Sequence, residues 1–258
     1  MKLLYNYRQQ KFCCLTVLLA CLSVSTATAA VAEYKKPKTT SAPDARTTTS
    51  SATRGKCLNY GDNNLNLTAI APYSHIGQTT SSHPTFAWFV PDLEYFPLEF
   101  HLEEYTADSQ FKTVYRQKLS SKPGIMSLSL PQNVPGLTAG TKYRWKVVMR
   151  CTRYKAVVTM AEIEVVAPTP KFKTAFSKTS GTSRLVDLYG ANGLWYDALE
   201  TTLNAADFHQ IELQNQLIQE LAAVESETNS SSVQQQGKKL RQISARLGTL
   251  KVSKNWFN

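Results

Sequence analysis

Short apolar runs recur between residues 65 and 166, at 65–71, 85–90, 98–105, 111–119, 125–130, 143–151 and 156–166. Pro72, Pro91, Pro97, Pro123-Gly124, Pro131 and Pro135-Gly136 fall between them, where proline's missing N–H interrupts no ladder. In Met126-Ser127-Leu128-Ser129-Leu130 and Tyr143-Arg144-Trp145-Lys146-Val147 apolar and polar residues alternate, the period of a strand with one buried face. Seven such runs predict a mainly β antiparallel sandwich. Beyond Val166 the period becomes helical. Ser183 is placed to cap a helix through Leu185, Val186, Leu188 and Tyr189, Gly190-Ala-Asn192-Gly193 breaks it, and residues 194–203 begin another. This hairpin resembles one tetratricopeptide-like unit, with no second copy to stack on it. Leu213, Leu217, Leu221 and Val224 stripe one further helix, and Leu240, Ile243, Leu247 and Leu250 stripe the last, across a Thr-Asn-Ser-Ser-Ser break.

Leu137 and Gly140 precede Tyr143, Trp145 and Val147 with the spacing of a tyrosine corner, which makes the sandwich immunoglobulin- or fibronectin-III-like. The expected organisation is a leader at 1–29, a disordered basic Thr/Ser/Pro linker at 30–56, the sandwich at 57–166 and a linker at 167–182. A helical segment at 183–227 and a basic amphipathic tail at 228–258 follow.

The chain has 258 residues, 42% hydrophobic, 19% charged, with a net charge of +10. That charge resembles a nucleic-acid binder's until its placement is read. The leader holds Lys2, Arg8 and Lys11, and the flanks hold most of the remainder, while between Cys57 and Val166 ten Lys or Arg face nine Asp or Glu. Acidic residues Glu212, Glu220, Glu225 and Glu227 mark the first striped helix, and Lys238, Lys239, Arg241 and Arg246 the second, so the two are expected to pair antiparallel. Nucleic acid is therefore not an expected partner. Contact of the basic helix with an anionic membrane stays as the alternative.

Residues 1–30 run from a basic start through the apolar stretch 12–24 to Ala27-Thr28-Ala29, the order of a secretory signal. Export to the periplasm or beyond is expected. Leu18-Leu19-Ala20-Cys21 also resembles a lipoprotein box, with Cys21 as the acylated residue. Cleavage after residue 29 leaves Cys57 and Cys151, expected to form one disulfide in an oxidising compartment.

Catalytic signatures are missing. His75, His83, His101 and His209 show no metal spacing, and His83 before Pro84 is read as a fixed residue at the start of a strand. Asp62-Asn-Asn64-Leu-Asn66 imitates a calcium loop, yet Leu67 stands where glycine is needed and Tyr73 where the bidentate glutamate belongs. No metal, cofactor or catalytic residue is expected. Phe86, Trp88, Phe89, Tyr95 and Phe96 surround Pro91, and are read chiefly as core, the remainder as a contact patch.

Six motifs in order carry a more specific likeness: Leu67-Thr-Ala-Ile-Ala-Pro72, His83-Pro84-Thr-Phe86-Ala-Trp-Phe-Val-Pro91, Val114-Tyr-Arg116, Gly124-Ile-Met-Ser-Leu-Ser-Leu-Pro131, Gly140-Thr-Lys-Tyr143-Arg-Trp145 through Cys151, and Gly193-Leu-Trp195-Tyr196-Asp197-Ala-Leu199. Together they resemble the cyanobacterial "domain of unknown function 928" family over roughly residues 57–204. The resemblance implies an exported cyanobacterial envelope protein and carries over no catalytic residues. A non-enzymatic module binding an envelope protein or glycan, or assisting assembly, is the expected function. The alternatives are a lipid-anchored protein with a membrane-contacting tail and a hydrolase of envelope polymers using Glu99, Glu103 and Glu104.

Overall fold

The computed structural model describes residues 33–38, 43, 65–91, 95–106, 108, 110–203 and 208–254, with side chains described as far as Leu247. Cys21, Cys57, the leader and Asp62 to Asn64 lie outside the described residues.

Among the described residues, eight strands form two sheets. In one, β1 (Thr68–Ala69), β3 (Thr85–Val90) and β6 (Gly124–Ser129) lie in the order β1-β3-β6, all antiparallel. The other runs β2-β8-β7-β4-β5, from β2 (Gly77–Thr79), β8 (Lys155–Val165), β7 (Lys142–Thr152), β4 (Pro97–Tyr105) and β5 (Phe111–Ser120). The alternation predicted for β7 holds residue by residue: Tyr143, Trp145, Val147 and Met149 are buried, and the residues between them are not. The sheets meet through aromatic rings. Phe86 of β3 lies 5.0 Å from Phe100 of β4 and 5.6 Å from Trp145, centroid to centroid, and Trp88 stacks on Phe100 at 6.1 Å. Phe86, Trp88 and Phe89 are thus core, whereas Tyr95 is 76% exposed.

Three expectations are corrected. The fold is not mainly β, because among the described residues five helices together contain more residues than the eight strands. It is not wholly antiparallel either: β2 pairs with β8 in parallel, Gly77 opposite Ile163. Gly-Gln-Thr has no alternation to announce a strand, and only burial against β8 makes it one. The stretch 167–182 contains α1 (Pro170–Phe176), where Thr169 accepts the Phe172 N–H at 3.2 Å and Pro170 fills the first turn.

The remaining helices are α2 (Thr182–Ala191), α3 (Trp195–Leu203), α4 (Phe208–Ser226) and α5 (Ser231–Lys254). Gly181, not Ser183, precedes the first of these. The last two pair antiparallel through Leu213, Leu217 and Leu221 on one side and Leu240 and Ile243 on the other, all buried. Ser244 joins them further, donating to Asn215 and accepting from Gln219. Gly237 lets them close: a Cβ there would lie 2.9 Å from the Ala222 carbonyl oxygen. Gln236 donates to the Ala69 carbonyl at 2.9 Å, so α5 is bonded to β1 and shares its core. Among the described residues, no helix is long and apolar enough to cross a membrane.

Candidate functional site

Helix α3 enters the sheets as a three-pronged anchor. Trp195 donates to the Ile70 carbonyl at 3.0 Å, and Tyr196 donates to the Glu162 carbonyl at 2.9 Å while accepting from Trp145 at 2.8 Å. Asp197 accepts the backbone N–H of Thr80 at 3.0 Å and its hydroxyl at 2.7 Å. Burial raises the Asp197 carboxyl against these bonds, which favour its ionised form. All three side chains are consumed by holding the helix on the sheets.

The other motif residues are equally committed. Tyr143 accepts the Thr138 N–H at 3.0 Å, with Gly140 at φ 82 between them, the geometry of a tyrosine corner. His83 has Ser82 Oγ and the Val134 carbonyl at 3.0 Å from its two ring nitrogens, and Pro84 supplies the carbonyl that the Leu130 N–H reaches. Cys151 sits partly buried near the end of β7.

The outward face of the five-stranded sheet carries Glu99 and Glu103, two of the three carboxylates proposed for hydrolysis. Glu103 receives Lys146 at 2.6 Å and the Arg144 guanidinium. Burial raises its carboxyl, but these two donors outweigh it and hold it below the usual range. Glu99 stands by His101 at 3.3 Å and Arg150 at 3.7 Å. Glu99 and Glu103 are four residues apart on one strand, about 13 Å, wider than the separations paired glycosidase carboxylates use. Glu104 projects from the opposite face, alongside Leu102. Among the described residues no group of three or more His, Cys, Asp or Glu is placed to hold a metal.

The polar cluster that brings distant segments together lies elsewhere. Tyr34 Oη is 2.6 Å from His75 Nε2, His75 Nδ1 is 2.8 Å from Ser74 Oγ, and Ser74 Oγ donates to Glu225 at 2.8 Å. One proton arrangement satisfies the whole chain: the tyrosine donates to Nε2, Nδ1–H to the serine, and the serine to the carboxylate. Burial, then the Lys36 charge, lowers His75 to about 3, so it stays neutral near pH 7. Glu225 also accepts the N–H groups of Tyr73 and Ser74, which staples the β1–β2 connection to α4.

Over this chain opens a cleft of about 570 Å³, walled by residues 33–36, Ser74 and the last turns of α4. Glu220 lies on its wall, accepting the Tyr34 N–H at 2.8 Å through one oxygen, the other being buried without a hydrogen-bond partner. Burial raises Glu220, the Tyr34 N–H opposes, and the Asp187 and Glu33 charges carry it up to about 7. Tyr34 falls within the stretch expected to be disordered, yet it is 2% exposed. A lone large aromatic among Thr, Ser, Lys and Pro was the available signal. Nothing local in the sequence pairs Ser74 with Glu225, 151 positions away.

A family model, Domain of Unknown Function (DUF928), matches residues 49–236. Nothing among curated proteins matches. One solved structure that resembles this chain is Bacteroides uniformis beta-glucuronidase 2 covalently bound to cyclophellitol-6-carboxylate aziridine. That likeness has 9% identity and a TM-score of 0.24, and covers 66% of this chain and 30% of the other. It carries no argument about fold or chemistry.

Proposed function

For a chain that belongs to the family Domain of Unknown Function (DUF928), we propose a non-catalytic role: an exported module of the cell envelope that binds a protein or glycan and serves in assembly. The carrying observation is the cleft above the Tyr34–His75–Ser74–Glu225 chain. Its floor looks reactive, but each donor there already has an internal acceptor. The site thus offers a concave surface lined by lysines and carboxylates, Lys35 and Lys36 with Glu220 and Glu227. In this reading the two sheets form an immunoglobulin-like scaffold whose hydrogen-bonded anchors set the shape of the cleft, and function resides in that surface.

The alternative hydrolase has its best footing in Ser74 Oγ beside Glu225, not in Glu99 or Glu103. The same experiment separates the two readings. A photo-crosslinking residue at Ala223, exposed on the cleft wall, should capture a discrete envelope component, whereas one at Tyr154, 91% exposed and away from the cleft, should not. Equal capture at both positions defeats the binding proposal. Release of soluble fragments from envelope polymers, abolished in Ser74→Ala, replaces it with the hydrolase.

A further inference from the structure

Residues 33–38 cross the domain as a strap, and no sheet or helix includes them. Discrete groups hold them. The Tyr34 ring meets Trp195 edge-on at 5.1 Å, its hydroxyl meets His75, and its N–H reaches Glu220. Lys35 donates its N–H to the Gly190 carbonyl at 3.0 Å, and the Lys36 ammonium reaches the Ser74 carbonyl at 3.2 Å. Pro37 lies on bare Gly193, where an added Cβ would come within 2.6 Å of the proline ring.

The slot's walls are fixed by bonds that do not involve the strap. Trp195 is held by Ile70, Ser74 by Glu225, and the α2–α3 turn by the N–H groups of Gly193 and Leu194 on the carbonyls of Gly190 and Tyr189. A pocketed aromatic, backbone hydrogen bonds and a proline on a flat floor are the means by which domains read short peptides. The matched family region, 49–236, contains every wall residue and none of the strap. Residues 39–56, 18 in all, separate the strap from Cys57, the expected partner of Cys151, and can span at most about 60 Å.

We propose that residues 33–38 are a detachable peptide ligand of this slot, and that the slot also accepts the same segment from a second copy, linking copies by strap exchange. This rests on the assembly reading above. The partner's chemistry follows from the slot. It requires a phenol for His75 and then cations near Glu220, Glu225 and Glu227, and Glu33-Tyr-Lys-Lys-Pro-Lys38 supplies both. Being on the same chain favours a copy's own strap, so exchange prevails where copies are crowded.

The test uses the full chain and a labelled synthetic peptide of residues 31–40. A Tyr34→Ala chain, its own strap weakened, should bind the peptide at least tenfold more tightly than the wild-type chain, whose slot is filled. A peptide carrying Tyr34→Phe should bind at least fivefold more weakly. Equal binding to both chains, or no binding to a folded Tyr34→Ala chain, overturns the proposal. Should that variant not fold, amide exchange in the wild type decides. Tyr34 and Lys35 should exchange at least a hundredfold faster than the core amides of β7, and exchange in step with them overturns the proposal. Either failure leaves crosslinking from Ala223 unaffected, so it does not touch the assembly reading.

Discussion

The Trp145 indole donates to the Tyr196 hydroxyl at 2.8 Å, and that hydroxyl donates onward to the Glu162 carbonyl at 2.9 Å. Tyr196 therefore ties α3 to two neighbouring strands at once. Tyr196→Phe keeps the ring and strands both partners in the core. A loss of about 2 to 4 kcal/mol is expected in urea unfolding, since each orphaned buried group costs about 1 to 3 kcal/mol. A change below about 0.5 kcal/mol would mean that neither bond matters.

Glu220 makes stability depend on pH. Its folded value near 7 lies above its ordinary 4.5, so the folded chain holds this proton more tightly than the unfolded one. The stabilisation is complete below about pH 4.5 and is lost as pH rises towards 7. Glu220→Gln, which still accepts the Tyr34 N–H, should be near neutral at pH 4 and stabilise by about 1 to 2 kcal/mol at pH 8, discounted for its partial exposure. A pH-independent difference between the two proteins contradicts this.

At Gly237, helix propensity and packing oppose each other. Alanine gains about 1 kcal/mol in a helix, but its methyl would press on the Ala222 carbonyl and on Ser226 Oγ at 2.8 Å. Overpacking of about 1 to 3 kcal/mol should win, and Gly237→Ala should melt lower than wild type. A higher melting temperature would show that the two helices separate freely.

The basic face of α5 is expected to leave anionic membranes alone. Leu240 and Ile243 are buried against α4, so these members of the apolar stripe are not free to insert. Cosedimentation with phosphatidylglycerol vesicles at about 0.15 M salt should leave the protein in solution. Binding that persists there would assign the tail to a membrane.

For Cys57 and Cys151 we propose a disulfide. Alkylation without reductant should label neither thiol, and Cys151→Ser should cost about 2 to 5 kcal/mol. Labelling of both thiols excludes the bond.

The strands with alternating or continuous apolar runs bounded by prolines were legible in the sequence, because those signals are local and not set by distant neighbours. Residues 85–90, 98–105 and 143–151 come within about one residue of β3, β4 and β7. What escaped depends on partners far along the chain. Gly77-Gln-Thr79 becomes a strand only beside β8, and Tyr34 becomes core only beneath His75 and Trp195. The candidate site was the least legible part, since its members come from the strap, the β1–β2 connection and α4. Thr169-Pro170 was a local signal and could have revealed α1.

Bonds on the early part of the described chain run to residues far along the sequence. Ala69 waits for Gln236, Tyr73 for Glu225, and Tyr34 for Glu220, separations of 167, 152 and 186 positions. As the chain emerges from the ribosome, its leading half lacks these partners, and the bonds form only once α4 and α5 are present. Such wiring leaves the early half of the domain short of these bonds until α4 and α5 have been made.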